Sequence, residues 1–153
     1  MIVAHYVEAL SHYTTGAFMG TALGRPLRIL LVEDENHIGR IIELTLPELG
    51  MPYEFVNVLS AEEGLQAWQQ QPFDLVLTDY NLRGMNGLKL VSQLKELGAT
   101  APMLLITAYD SQEVRQEARK LVDEYITKPF FMDDLLDAIR RHVPTETREV
   151  NGP

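Results

Sequence analysis

From Arg28 onward the chain alternates short, unbroken apolar runs with longer stretches whose apolar residues recur every three or four positions. Five runs read as strands: Arg28–Val32, Tyr53–Val58, Asp74–Thr78, Met103–Thr107 and Glu124–Thr127. Between them, Ile38, Ile41, Ile42, Thr45 and Leu49 form one helical stripe, which Pro47 should end or kink because it donates no backbone hydrogen bond. Ser60 and Glu63 make a capping box for a second helix bearing Leu65 and Trp68, the latter as core packing. Leu88, Val91, Leu94 and Leu97 mark a third helix closed by Gly98. Asp110 or Ser111 can cap a fourth, bearing Val114, Ala118, Leu121 and Val122. A fifth starts near Met132, with Asp133 and Asp134 in its first turn and Arg140, Arg141 and His142 in its last, as the helix dipole favours. Continuous apolar strands alternating with helices predict an α/β fold with a parallel sheet covered on both faces.

The ends break this pattern. Residues 1–26 read as an extension, helical or disordered: Val3, Tyr6, Val7, Leu10 and Tyr13 have helical spacing, and Met19 could mark the natural start. His5, Glu8 and His12 interrupt its apolar character and no Lys or Arg precedes Arg25, which argues against a signal peptide or membrane insertion. Residues 27–143 are expected to be the globular domain and 144–153 a disordered tail.

Composition narrows the chemistry. A 153-residue chain with 46% hydrophobic residues can bury one sizeable core. A formal net charge of −9 argues against direct nucleic-acid binding, which needs clustered Lys and Arg. Cysteine is absent, so there is no disulfide framework, which fits a cytoplasmic location. The four histidines are scattered and suit surface or capping roles better than a zinc site.

In open α/β sheets, ligands bind beyond the carboxyl ends of the strands. Here Glu33 and Asp34 follow the first run, Asp79 follows the third, Thr107 ends the fourth, and Lys128 with Pro129 follows the fifth. If those strands are neighbours, three carboxylates, a hydroxyl and an ammonium converge. Crowded carboxylates repel, so one should take up a proton unless a cation compensates. Magnesium, a hard cation that prefers oxygen ligands and keeps several waters, answers that need, and manganese can substitute. Asp34 and Asp79 are the expected direct ligands, with Glu33 acting through water and the Asn81 carbonyl completing the set. Singly, each residue has a plainer explanation, as a strand-end Thr, a helix-starting acidic pair or a solvated Lys-Pro turn. Their combination is what points to a site.

The segments LLVEDE, LVLTDYNLRGMNGL, LLITAY and YITKPF, in that order, resemble the response-regulator receiver domain of two-component signalling, over about Leu27 to Val143. The resemblance implies a flavodoxin-like, doubly wound (βα)5 fold with strand order 2-1-3-4-5. It implies that Asp79 accepts a phosphoryl group from a sensor histidine kinase, a histidine phosphotransfer protein or a small phosphodonor, with magnesium. Lys128 would steady the phosphoryl oxygens, and Thr107 and the Ala108 N–H would bond to them. Tyr125 matches the aromatic that follows the Thr107 movement. Signal would leave through the fourth helix, fifth strand and fifth helix to a protein target, with a phosphorylation-linked homodimer as one form. Lys128-Pro129 resembles the family's cis peptide.

On this reading the chain is not an enzyme beyond its own phosphorylation and dephosphorylation. With only a short tail after the fifth helix, no output domain is expected, although the chain could be excised from a longer protein. Phosphorelay intermediate and phosphate sink are alternatives to an output receiver. A haloacid-dehalogenase-type phosphatase is less favoured, because its second Asp, two residues after the nucleophile, is replaced here by Asn81. A flavin-binding flavodoxin-like protein would need a phosphate loop in place of EDEN, and a degenerate receiver would lack some of the five site residues. Two positions depart from the family: Arg83 stands where Pro is frequent, and LVDEY replaces a glycine-containing turn.

Overall fold

The computed structural model describes residues 4–5 and 23–144. Strand β1 is Ala4–His5, followed by β2 (Leu27–Val32), β3 (Tyr53–Val58), β4 (Leu75–Asp79), β5 (Met103–Thr107) and β6 (Glu124–Thr127). The helices are α1 (Asn36–Thr45), α2 (Ala61–Gln70), α3 (Gly87–Glu96), α4 (Gln112–Leu121) and α5 (Met132–His142). The sheet order is β1-β3-β2-β4-β5-β6. All pairs are parallel except β1 with β3, so the five strands counted from Leu27 stand in the expected order 2-1-3-4-5. The antiparallel strand Ala4–His5 at the sheet edge differs from the helical or disordered extension expected there; the rest of the helical stripe, Tyr6 to Tyr13, and the tail beyond Pro144 lie outside the described residues.

Period-two alternation divides the core. Ile29, Leu31, Leu77 and Ile106 point to the face covered by α1 and α5, where Ile42, Leu135 and Ile139 meet them. Leu30, Val32, Val56 and Val76 point to the opposite face, under Leu90, Val91 and Leu94 of α3. Every residue of β4 and β5 is buried, which is why these runs lack polar alternation. Each fully buried Leu or Ile contributes about 1.5–3 kcal/mol.

Boundaries shift where local chemistry competes. Pro47 ends α1 at Thr45, and the chain continues as a 3-10 turn over Leu46–Leu49 closed by Gly50. The Ser60 Oγ accepts the Glu63 N–H at 3.2 Å, but the Glu63 carboxylate takes the Ser60 hydroxyl and does not close the reciprocal backbone bond. Ser111, not Asp110, caps α4. Leu97 and Val122 fall just past the ends of α3 and α4, and Leu97 is exposed, outside the stripe expected to bury it. Trp68 is half-buried beside Phe73.

The third run begins one residue later than expected because Asp74 is an anchor. Its carboxylate accepts the Arg28 N–H at 2.8 Å, and its own N–H donates to the Arg28 carbonyl. Asp123 does the same for Met103, at 2.9 Å in both directions. These clips tie β4 to β2 and β6 to β5 at their amino ends.

Candidate functional site

Asp79 is the last residue of the central strand β4 and is nearly inaccessible. By alternation its side chain shares the face of Leu77. Glu33 follows β2 in phase with Leu31, and Lys128 follows β6 in phase with Ile126. Three strands therefore deliver these groups to one place. The Lys128 Nζ donates to Asp79 Oδ2 at 2.8 Å and to Glu33 Oε2 at 3.1 Å. The Glu35 N–H donates to Glu33 Oε1 at 3.1 Å, and the Asn81 N–H donates to Asp79 Oδ1 at 3.1 Å. The Lys128–Pro129 peptide is cis.

Glu33, Asp34, Glu35 and Asp79 each offer a carboxylate oxygen, all within 4.8 Å of one another. An all-oxygen, strongly anionic donor set fits a hard divalent cation such as magnesium. Glu35 was not among the expected ligands; its signal was its place as the third acid of the EDE run. Asn81 contributes its N–H to the Asp79 carboxylate, a bond that the residue pattern alone does not point to.

Burial, then the Asp79 charge, pushes the Glu33 carboxyl up to about 7. Burial pulls the Lys128 ammonium down, but the Asp79 and Glu33 carboxylates outweigh it and hold Lys128 above its usual range. The Glu33 shift has a stability consequence. Between about 4.5 and 7 the folded chain holds a proton that the unfolded chain has released, so stability falls as pH rises through that window. Urea unfolding in chelator should show a loss of roughly 3 kcal/mol across it. Glu33→Gln should flatten the slope, and an unchanged slope would contradict this account.

Thr107 and Tyr125 lie on the other face. Thr107 is in phase with Leu105, and Tyr125 packs against the cluster of Leu88, Leu105, Val114 and Ala118. The buried Thr107 Oγ1 accepts the Tyr109 N–H at 2.8 Å and donates to the Tyr109 carbonyl at 3.3 Å. Ala108 between them is exposed. Thus Glu33, Asp34, Asp79 and Lys128 are brought together directly, whereas Thr107, Ala108 and Tyr125 form an adjoining group at the end of β5.

Gly87 holds the loop after Asp79 closed. Its N–H donates to the Tyr80 carbonyl at 2.8 Å, and a Cβ there would lie 2.1 Å from the Asp79 carbonyl oxygen and 2.9 Å from its carbon. Both are backbone atoms of a buried strand and cannot yield cheaply. Gly87→Ala should cost roughly 2–3 kcal/mol. Gly98→Ala, with open space but a φ of +89°, is the comparison and should cost about 1 kcal/mol. Equal losses in urea unfolding would contradict the contact.

The family model described as response regulator receiver domain matches residues 29–140. The transcriptional regulatory protein QseB of Escherichia coli O157:H7 is 34% identical over 119 residues, 75% of this chain and 53% of that protein. The response regulator RppA of Synechocystis is 36% identical over 120 residues, 74% of this chain and 49% of that protein. The chain thus spans about half the length of these relatives. A CheY-like response regulator receiver domain protein from Methanospirillum hungatei JF-1 superposes with a TM-score of 0.71 at 30% identity, over 76% of this chain and 93% of that one. Among the described residues, no helix is long and apolar enough to cross a membrane.

Proposed function

This chain belongs to the response-regulator receiver domain family of two-component signalling, and from that premise we propose that Asp79 accepts a phosphoryl group from a histidine kinase or histidine phosphotransfer protein, with magnesium. The observation that carries the reading is the single buried carboxylate at the carboxyl end of the central strand, bonded at 2.8 Å by Lys128 and set among three further acids.

One Asp79 oxygen attacks phosphorus, the P–N bond of the phosphohistidine breaks, and the imidazole leaves with the bonding pair. Lys128 keeps Asp79 oriented before transfer and meets the phosphoryl oxygens after it, as a mobile point charge. Asn81 fixes the second carboxylate oxygen through its N–H. Asp34, Asp79 and the Asn81 carbonyl, with Glu33 and Glu35 close by, would hold magnesium, which would supply neutralisation of the charge that spreads over the phosphoryl oxygens.

The aspartyl phosphate is bulkier and more negative than the carboxylate, and its oxygens need donors. The Thr107 hydroxyl has one proton, now given to the Tyr109 carbonyl; turning it to the phosphoryl group breaks that bond and draws the loop inward. Tyr125, whose hydroxyl shares the Tyr109 carbonyl with Thr107, carries the change to the face of α4, β6 and α5. A protein target, or a second copy of the chain, reads that face. Relay and sink roles use the same chemistry and differ only in where the phosphoryl group goes next.

Incubation with acetyl phosphate and magnesium should add one phosphoryl group by intact mass, mapped by peptide analysis to Asp79. No adduct, or one on another residue, would overturn the reading.

A further inference from the structure

Tyr125 is held by more than its packing. Its hydroxyl donates toward the Tyr109 carbonyl at 3.3 Å and the Asp110 Oδ1 at 3.2 Å. Asp110 is in turn gripped by both the Nε and Nη2 of Arg115, one turn into α4. The Arg115 guanidinium also lies 5.7 Å from the centroid of the Tyr125 ring, within cation–π range. Hydrogen bonding from Arg115 keeps the Asp110 carboxyl below its usual range, so it is an ionised acceptor at neutral pH. None of these groups belongs to the acidic cluster, and Asp110 was free for this role because Ser111 caps α4.

We propose that Asp110 and Arg115 are positioning residues that clasp the Tyr125 hydroxyl to the β5–α4 loop and so set the threshold of the Thr107–Tyr125 response. The inference rests on the phosphoacceptor reading above. The clasp is made while Thr107 is still engaged with Tyr109, so it stabilises that arrangement. Two hydroxyls, from Thr107 and Tyr125, share the Tyr109 carbonyl, and for Tyr125 to follow Thr107 inward its hydroxyl gives up Asp110, which Arg115 holds at the start of α4. Cutting the clasp lowers the cost of leaving the resting arrangement.

The test is titration of the full chain with beryllofluoride in saturating magnesium, followed at the Thr107 amide and Tyr125 ring resonances. Asp110→Ala should lower the midpoint about two- to fivefold, the scale of a half-exposed charge-assisted bond. Its thermal unfolding should barely move, since the pair is at the surface. In a Tyr125→Phe background the same substitution should have no effect on the midpoint, because the hydroxyl it acts through is gone. A normal response with an unshifted midpoint in Asp110→Ala, or an equal shift with and without the Tyr125 hydroxyl, overturns the clasp and leaves the phosphoacceptor intact. No response to beryllofluoride in the parent chain overturns the phosphoacceptor reading itself, and the clasp with it.

Discussion

Lys128→Ala should destabilise the metal-free chain by roughly 3 kcal/mol at pH 8 and by much less at pH 5. Lys128 is the ammonium seated between Glu33 and Asp79, its side chain only 14% exposed. Removing one partner of a buried ion pair leaves the other charge unpaired, and here it leaves two carboxylates facing each other. The pH contrast follows because Glu33 already tends to hold a proton, up to about 7. Below that value Glu33 can neutralise itself, so the missing ammonium costs little; above it both acids are charged. Saturating magnesium should restore much of the loss, because a cation held by the same acids takes over the neutralisation. Phosphorylation should still occur, but the Thr107 and Tyr125 resonances should no longer respond to it. Urea unfolding at the two pH values, with and without magnesium, checks the first part. Equal destabilisation at both would mean that Lys128 acts through packing.

Asp79→Asn should abolish the phosphoryl adduct completely while leaving the fold intact. Asparagine has the same shape, and its one amide oxygen can accept from Lys128, although the NH2 then stands where the second carboxylate oxygen took the Asn81 N–H and that exposed-loop bond is given up. What disappears is the carboxylate proposed to attack phosphorus and one of the charges that raise Glu33. The Glu33 carboxyl should therefore move back toward its ordinary range, and the metal-free variant should be as stable as the parent or up to about 1 kcal/mol more so above pH 7. Intact mass after acetyl phosphate treatment and unfolding at pH 8 provide the two readouts. A surviving adduct would mean another acceptor, and a large loss of stability would mean that the Asp79 charge is structurally required.

Much of this site could be read from residue order. The unbroken apolar run from Ile29 to Val32 in β2, and the buried β4 and β5, announce central strands, and acids placed just after them must share an edge once the strands are parallel neighbours. Alternation carries further: Asp79, Glu33 and Lys128 keep phase with residues of one face, while Thr107 and Tyr125 keep phase with the other. What remained hidden depends on contacts between side chains distant in sequence. Asp110 looked as able as Ser111 to cap α4, and only the approach of Arg115 and Tyr125 gives it another role. Asp74 looked like the first residue of a strand, and only the neighbouring Arg28 N–H makes it an anchor. The extended pairing of Ala4 and His5 with β3 is also long-range, invisible to a helical periodicity count.

The Asp74 and Asp123 clips bear on the mechanics of the sheet. Each fixes one strand to its neighbour by two reciprocal bonds at the end farthest from the acids. A one-residue slip would turn every buried side chain to the wrong face, so register must survive any motion above. With the amino ends pinned, the sheet behaves as a cantilever clamped at its base. On the proposed function, displacement of the loops at its tip would then pass sideways to α4 and α5, with little loss to sliding at the two clipped strand pairs.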